Sequence, residues 1–233
     1  MTRVVQLNHM ITEDLPIEIG EIRFTQDYDY ADRGFRTHQV SMHCHNGTHV
    51  DAPEHTERGG GSIESIAAED LVGPAVVLDL SPWCEEDRPF TVEHVIEAER
   101  AAGGIRAGDF VVLRSDWSRL FGTDRYWPRS PYLSSGAARY LIEDRQARAL
   151  GYDFSQEAGA RDHQDLALRI ARGEAEPGED LVIHHIVLGS NRYHVECMTN
   201  LDQISQSRFT IVVAPLPLSG VEAAPARVFA LMD

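Results

Sequence analysis

The stretch from residue 75 to residue 153 constrains the fold most. Ala75 to Leu80 reads as a strand, Thr91 to Ala102 as a helix, Phe110 to Arg114 as a strand, about Ser135 to Gln146 as a second helix, and Ala147 to Tyr152 as a third strand. Thr91 offers an N-cap oxygen and Gly103-Gly104 a stop for the first helix. Strands separated by crossovers of this length pair in parallel with helices laid against a face, so the centre of the chain is α/β. The flanks read differently. Residues 36 to 51, residues 181 to 196, Phe209 to Val213 and Val228 to Leu231 read as strands joined by loops, which predicts a second β layer without helices of its own. Ser62 to Asp70 reads as a short helix after Gly59-Gly60-Gly61, and Arg172 to Asp180, with Gly173, Pro177 and Gly178, as an exposed acidic loop. No linker divides the chain, and 233 residues with 42% apolar content suit a single domain over 1–233.

Charge narrows the chemistry. The formal net charge is -16, every basic side chain other than histidine is arginine, and no lysine occurs. No arginine cluster forms a stripe, so nucleic acid and anionic membranes are repelled rather than attracted. Without lysine there is no Schiff base, no pyridoxal phosphate aldimine and no phosphate-loop lysine. Cys44, Cys84 and Cys197 are widely spaced and odd in number, which excludes a disulfide framework and a zinc ribbon and points to a reducing cytoplasm. No apolar stretch approaches the ~18 residues of a membrane span, and the N-terminus lacks a signal-peptide pattern.

Five of eleven histidines, His38, His43, His45, His49 and His55, fall within eighteen residues. Side chains at even separations share one face of an extended segment, so His45, His49 and Asp51 can converge on one cation while Asn46, Thr48 and Val50 point away. Two imidazoles and a carboxylate are a typical catalytic ligand set with positions left for water and substrate. Gly47 permits a bend, and Pro53 ends the strand near Ala52, leaving His55 on a loop. The competing reading is a set of surface or hydrogen-bonded strand histidines. A cupin is excluded because His49 and Val50 stand where its glutamate belongs, and the helical His-Glu-x-x-His motif is absent.

The string His45-x-Gly47-Thr48-His49-x-Asp51-x-Pro53-x-His55 resembles, at every defined position, the signature of the cyclase-like metal hydrolases that include bacterial kynurenine formamidase and isatin hydrolase. Leu181-Val182-Ile183-His184 through Leu188-Gly189 to Glu196 is similar to that family's second ligand segment. Pro215-Leu216 with Pro225-Ala226-Arg227-Val228 resembles its C-terminal strand pair. The resemblance implies a three-layer β/β/α swivelling-domain fold with a central mixed or parallel sheet and a second β layer, assembled as a homodimer or homotetramer. It also implies that His45, His49 and Asp51 bind one metal ion, and that Asp51 bridges to a second held by His184 and Glu196. His184 is preferred to His185 by its spacing to Glu196. One or two zinc ions are expected, with manganese as the alternative.

Amide hydrolysis at neutral pH needs an activated water and a stabilised oxyanion, both of which a divalent metal supplies. His55, off the ligand face, suits the proton transfer from water to the leaving nitrogen, the alternatives being a fifth ligand or an outer partner of one. His43 reads as such an outer partner, and Glu54 as a solvated charge. Kynurenine formamidases resemble one another in a tryptophan-bearing segment near the N-terminus, whereas residues 15 to 24 here contain no tryptophan. Phe24, Tyr28, Tyr30, Phe35 and Trp117 are possible pocket residues, and the contact made by Asp153 is open. The expected activity is hydrolysis of a carbon-nitrogen bond in a small aryl formamide or cyclic amide. A polyketide-type cyclase or dehydratase and a non-catalytic metal-binding protein are the alternatives.

Overall fold

The computed structural model describes residues 2–15, 20–158, 170–172 and 181–232. Residues 16–19 of the tryptophan-free segment and 173–180 of the expected acidic loop lie outside that range. In chain order the strands are β1 (Arg3–Gln6), β2 (Arg23–Tyr28), β3 (Thr37–Ser41), β4 (His49–Asp51), β5 (Val72–Asp79), β6 (Pro89–Phe90), β7 (Phe110–Arg114), β8 (Tyr132–Leu133), β9 (Ala149–Tyr152), β10 (Tyr193–Glu196), β11 (Arg208–Pro215) and β12 (Ala223–Met232). The helices are α1 (Tyr30–Arg33), α2 (Val92–Ala102), α3 (Ser135–Arg139) and α4 (Val182–Leu188).

Eight strands form one mixed sheet in the order β1-β12-β11-β5-β7-β9-β10-β4, and β4 also pairs with β12, so seven strands close on themselves with β1 attached outside. The run β5-β7-β9-β10 is parallel, and the remaining pairs are antiparallel. The packing shows why β7 is apolar from Phe110 to Leu113. Val111 and Leu113 pack under the helices with Val95, Leu141 and Ile183, whereas Phe110 and Val112 face the other core with Val50, Val195 and Ile211. A strand buried on both faces loses the apolar/polar alternation.

Thr91 caps α2 through His94 N and Gly103 closes it in the left-handed region, as the sequence predicts. The second predicted helix is present, with its latter half, Tyr140–Asp144, wound as a π-helix. Ser62 to Asp70 becomes two 3-10 turns, Ile63–Ser65 and Ala68–Asp70. Two expectations need correction. Residues 181 to 196 are not all strand: α4 precedes β10, because adjacent parallel β9 and β10 require a crossover, and one that buries Ile183, Ile186, Val187 and Leu188 closes it over the core. The β-branched apolar run there could not be separated from a strand by periodicity. Residues 36 to 51 are likewise not one layer. β3 pairs with β2 in a separate ribbon whose residues are all exposed, and a turn leads from it to β4.

The candidate metal centre

The register of β4 against β10 builds the site. His194 lies opposite Asp51 and Glu196 opposite His49, so cross-strand pairing puts four ionisable side chains on one face while Val50 and Val195 enter the core behind them. His184 descends onto this face from α4. Contrary to the sequence expectation of one extended segment, His45 does not share the strand with His49 and Asp51 but sits in the preceding turn. Gly47, at φ 70, folds that turn back, and a Cβ there would come within 3.2 Å of Leu15. His55 ends the 3-10 turn Pro53–His55. Gly60 backs onto this turn so closely that a Cβ would lie 2.7 Å from the Pro53 carbonyl carbon, which accounts for the middle glycine of the run.

The donors gather around the buried carboxylate of Asp51. Its Oδ1 stands 3.0 Å from His45 Nδ1 and 3.3 Å from His49 Nε2, and those two nitrogens are 3.2 Å apart. Its Oδ2 stands 3.0 Å from His194 Nε2 and 3.6 Å from His184 Nε2. Glu196 Oε1 is 3.1 Å from His184 Nε2 and 3.5 Å from His194 Nε2, while its Oε2 lies 3.8 Å from His49 Nε2. Asp51 with His184, His194 and Glu196, and His45 with Asp51 and His55, are groups able to hold an ion. The His55 ring lies 4.4 Å from that of His45 and 5.3 Å from that of His184, centroid to centroid.

These residues fit a divalent cation on two counts. Asp51 Oδ1 is buried and accepts no hydrogen bond among the described residues, although two imidazole nitrogens stand close to it. Ligand atoms about 2.1 Å from one ion and roughly 90–110° apart are about 3.0–3.4 Å from each other, which is the spacing of this triangle. The outer faces of the rings agree. His49 Nδ1 donates to the Gly47 carbonyl at 2.9 Å, His45 Nε2 to Glu222 Oε1 at 3.2 Å and His184 Nδ1 to Glu157 Oε1 at 2.9 Å, so the inward nitrogen of each is free to coordinate. His194 differs: its Nε2 donates to Asp51 and its buried Nδ1 has no partner among the described residues.

Electrostatics show the same demand for positive charge. Burial pulls the His49 imidazole down, but the Asp51 and Glu196 carboxylates outweigh it and raise His49 to about 9. Burial and the Asp51 charge push Glu196 up, yet His184 and His49 bring it to about 2. His184 is raised against burial by Asp51, Glu157 and Glu196. In this cluster protons occupy positions that a metal takes by displacing them. His55 behaves oppositely: burial lowers it to about 4 despite Asp51, leaving it neutral near pH 7.

Among the sequence-predicted residues, His45, His49, Asp51, His184 and Glu196 meet in one cluster with His55 beside it. His185 points away and pairs with Glu57. His43 is exposed and its Nδ1 accepts from the backbone N–H of His45, and Glu54 is exposed. Trp117 is a core residue whose Nε1 donates to the Tyr126 carbonyl, and Phe24, Tyr28, Tyr30 and Phe35 are exposed on or beside the ribbon. Neither set lines this site. Asp153 accepts from Ser115 N, Ser115 Oγ and Asp116 N, holding the turn after β7. Sequence reasoning missed His194, Glu157, Gln156 and Glu222. His194 was within reach, because it stands two residues before Glu196 as His49 does before Asp51.

A model of the cyclase family matches residues 5–156. The isatin hydrolase of Roseibium aggregatum is 26% identical over 249 residues, spanning 99% of this chain and 87% of that protein. The kynurenine formamidase of Salinibacter ruber is 26% identical over 188 residues, spanning 81% of this chain and 76% of that protein. Among solved structures, isatin hydrolase A from Labrenzia aggregata bound to benzyl benzoate has a TM-score of 0.81 at 30% identity, covering 99% of this chain and 94% of that chain. The family match covers well over half of the sequence and includes the whole His45-to-His55 segment, and the closed mixed sheet that presents it is shared with the solved relatives: the chain belongs to the cyclase family.

Proposed function

We propose that this protein is a metal-dependent amidohydrolase that cleaves the carbon-nitrogen bond of a small cyclic aryl amide or aryl formamide. One observation carries the reading: Asp51 Oδ1 faces the imidazoles of His45 and His49 and its Oδ2 faces His184 with Glu196 beside it, and the ring of His55 lies next to both groups. His45, His49 and Asp51 hold one ion, and Asp51, His184 and Glu196 hold a second. His194 orients Asp51 by donating to Oδ2. A divalent ion there lowers the pKa of a water towards ~7 and polarises an amide carbonyl. His55 accepts a proton on its ring nitrogen as the water adds and returns it to the departing nitrogen, a role for which its neutral form is required.

The mixed imidazole and carboxylate set suits zinc first and manganese second. A cyclic amide of the isatin type is the preferred substrate, because similarity to an isatin hydrolase runs over nearly the whole chain. We place the chain as one unit in the cytoplasm, supported by three unbridged cysteines; among the described residues no helix is long and apolar enough to cross a membrane. A homodimer or homotetramer is supported by the ribbon of β2 and β3. It exposes Phe24, Tyr28 and Val40, and a lone two-stranded ribbon is marginal unless something packs on it.

The test is turnover of isatin and of formanilide by protein purified without chelator, alongside its metal content. Activity should vanish on chelation and return with zinc or manganese. Equal turnover by metal-free protein would overturn the proposal.

A further inference from the structure

The loop leaving β9 places two consecutive buried residues against the α4/β10 side of the site. Gln156 Nε2 donates to Glu196 Oε1, and Glu157 Oε1 accepts from both the backbone N–H of His184, at 2.8 Å, and its Nδ1–H, at 2.9 Å. Glu157 is 3% exposed and Gln156 2%. Burying a carboxylate is costly unless it is hydrogen-bonded and matched by positive charge, and Glu157 joins the buried Asp51 and the half-buried Glu196 in the same region. Its contact with His184 resolves that cost and has a chemical consequence. Two donors from one residue, one of them main chain, fix the ring in rotation and place the proton on Nδ1. The Nε2 lone pair is thereby directed at the space between Asp51 Oδ2 and Glu196 Oε1.

Resting on the metal-centre reading above, we propose that Glu157 is a positioning residue for the second metal position: it selects the tautomer and orientation of His184, and so governs occupancy there while leaving the His45–His49–Asp51 position untouched. The contrast with His194 supports the assignment. That imidazole is equally buried, yet its Nδ1 has no acceptor among the described residues, as suits a donor to Asp51 rather than a ligand. His184 alone on this side has a carboxylate behind it.

The experiment compares wild type, Glu157→Gln and Glu157→Leu by zinc titration of the demetallated full chain, with imidazole N–H proton NMR of the zinc-loaded protein. Wild type should bind two equivalents and show a downfield N–H resonance that disappears in His184→Gln. Glu157→Leu should lose that resonance and bind the second equivalent about 10- to 100-fold more weakly, with the first unchanged. Glu157→Gln, which keeps the shape and an acceptor oxygen, should shift the resonance and weaken the second equivalent less; it carries the test should the leucine variant fail to fold. Two equivalents bound as in wild type by both variants, with the resonance in place, would overturn the positioning role alone. A wild type that binds no zinc would overturn the metal reading and this inference together, and one that binds a single equivalent unaffected by either variant would overturn this inference.

Discussion

The two sides of Asp51 are built by different means. On the Oδ1 side His45, His49 and the carboxylate come from one seven-residue span, and the outer acceptor of His49 is the carbonyl of Gly47 within the same turn. On the Oδ2 side His184 and Glu196 are more than 130 residues away in sequence, brought in by the β9-to-β10 crossover and the β4–β10 register, and held by Gln156 and Glu157 from a third segment. The near side can survive local rearrangement because its geometry is written into a turn. The far side depends on β9, α4 and β10 all being in place, so it is the more easily emptied.

The largest effect is expected where the sides meet. Asp51→Asn keeps the volume of the side chain but removes the charge that both sides share, and metal content should fall to trace at both positions, with activity lost alongside. Elemental analysis of the folded variant checks this; retention of one full equivalent would show that the sides are independent.

His55→Ala should come next. This side chain stands beside both groups and holds neither ion in the proposed scheme, so metal should stay while kcat falls about 10²- to 10⁴-fold, the range for one general acid–base group. Release of metal with unchanged activity per ion bound would make His55 a ligand instead. The pH profile sharpens the assignment. A base must be neutral, and burial holds His55 down at about 4, so kcat/KM should be lost only as pH falls towards that value rather than near the ordinary ~6.5. The acid limb should change in His55→Ala.

Glu196→Gln touches one side only. It should reduce binding by one equivalent and leave the fold and the other equivalent in place, because Gln156 and the β10 backbone still hold the position. A loss of both equivalents would mean that the 3.8 Å approach of Glu196 to His49 couples the sides.

The asymmetry also explains what the sequence made legible. The α/β centre follows from apolar runs and caps that act locally: Thr91, Gly103 and the apolar run Phe110 to Leu113 of β7 behave as their residue types require. The near donors follow from spacing, but alternation places only His49 and Asp51, while a glycine turn places His45. His184 and Glu196 are legible only through family resemblance, and the secondary structure that carries them is not, because a short β-branched apolar run does not declare whether it will pair or pack. Closure of the sheet by β4 onto β12 has no local signature at all. It depends on Ala223 and Ala224 lying opposite Asp51 and Val50, a register set by the whole sheet.

The smallest expected effect tests whether the near side is as local as its sequence suggests. His45 donates outward to Glu222, which follows the turn at Ser219 and Gly220, and that turn is held by Glu64, whose Oε1 accepts from Ser219 Oγ and Gly220 N. Glu64→Gln should therefore weaken zinc binding at the near position by less than the roughly 10- to 100-fold typical of a direct outer partner, with the far position unaffected. The hydrogen bonds of this exposed carboxylate, with main-chain N–H groups foremost, lower it to about 2. A carboxylate depressed on folding contributes stability above its unfolded value of about 4.5 and loses it as pH falls through its folded value. The difference in melting temperature between wild type and Glu64→Gln should thus be constant from pH 7 to about 5 and narrow steadily as pH falls towards 3. A difference that widens on acidification would contradict the anchoring of this turn by the ionised carboxylate. Equal zinc affinities at both positions in the variant would show that the near side needs nothing beyond its own turn.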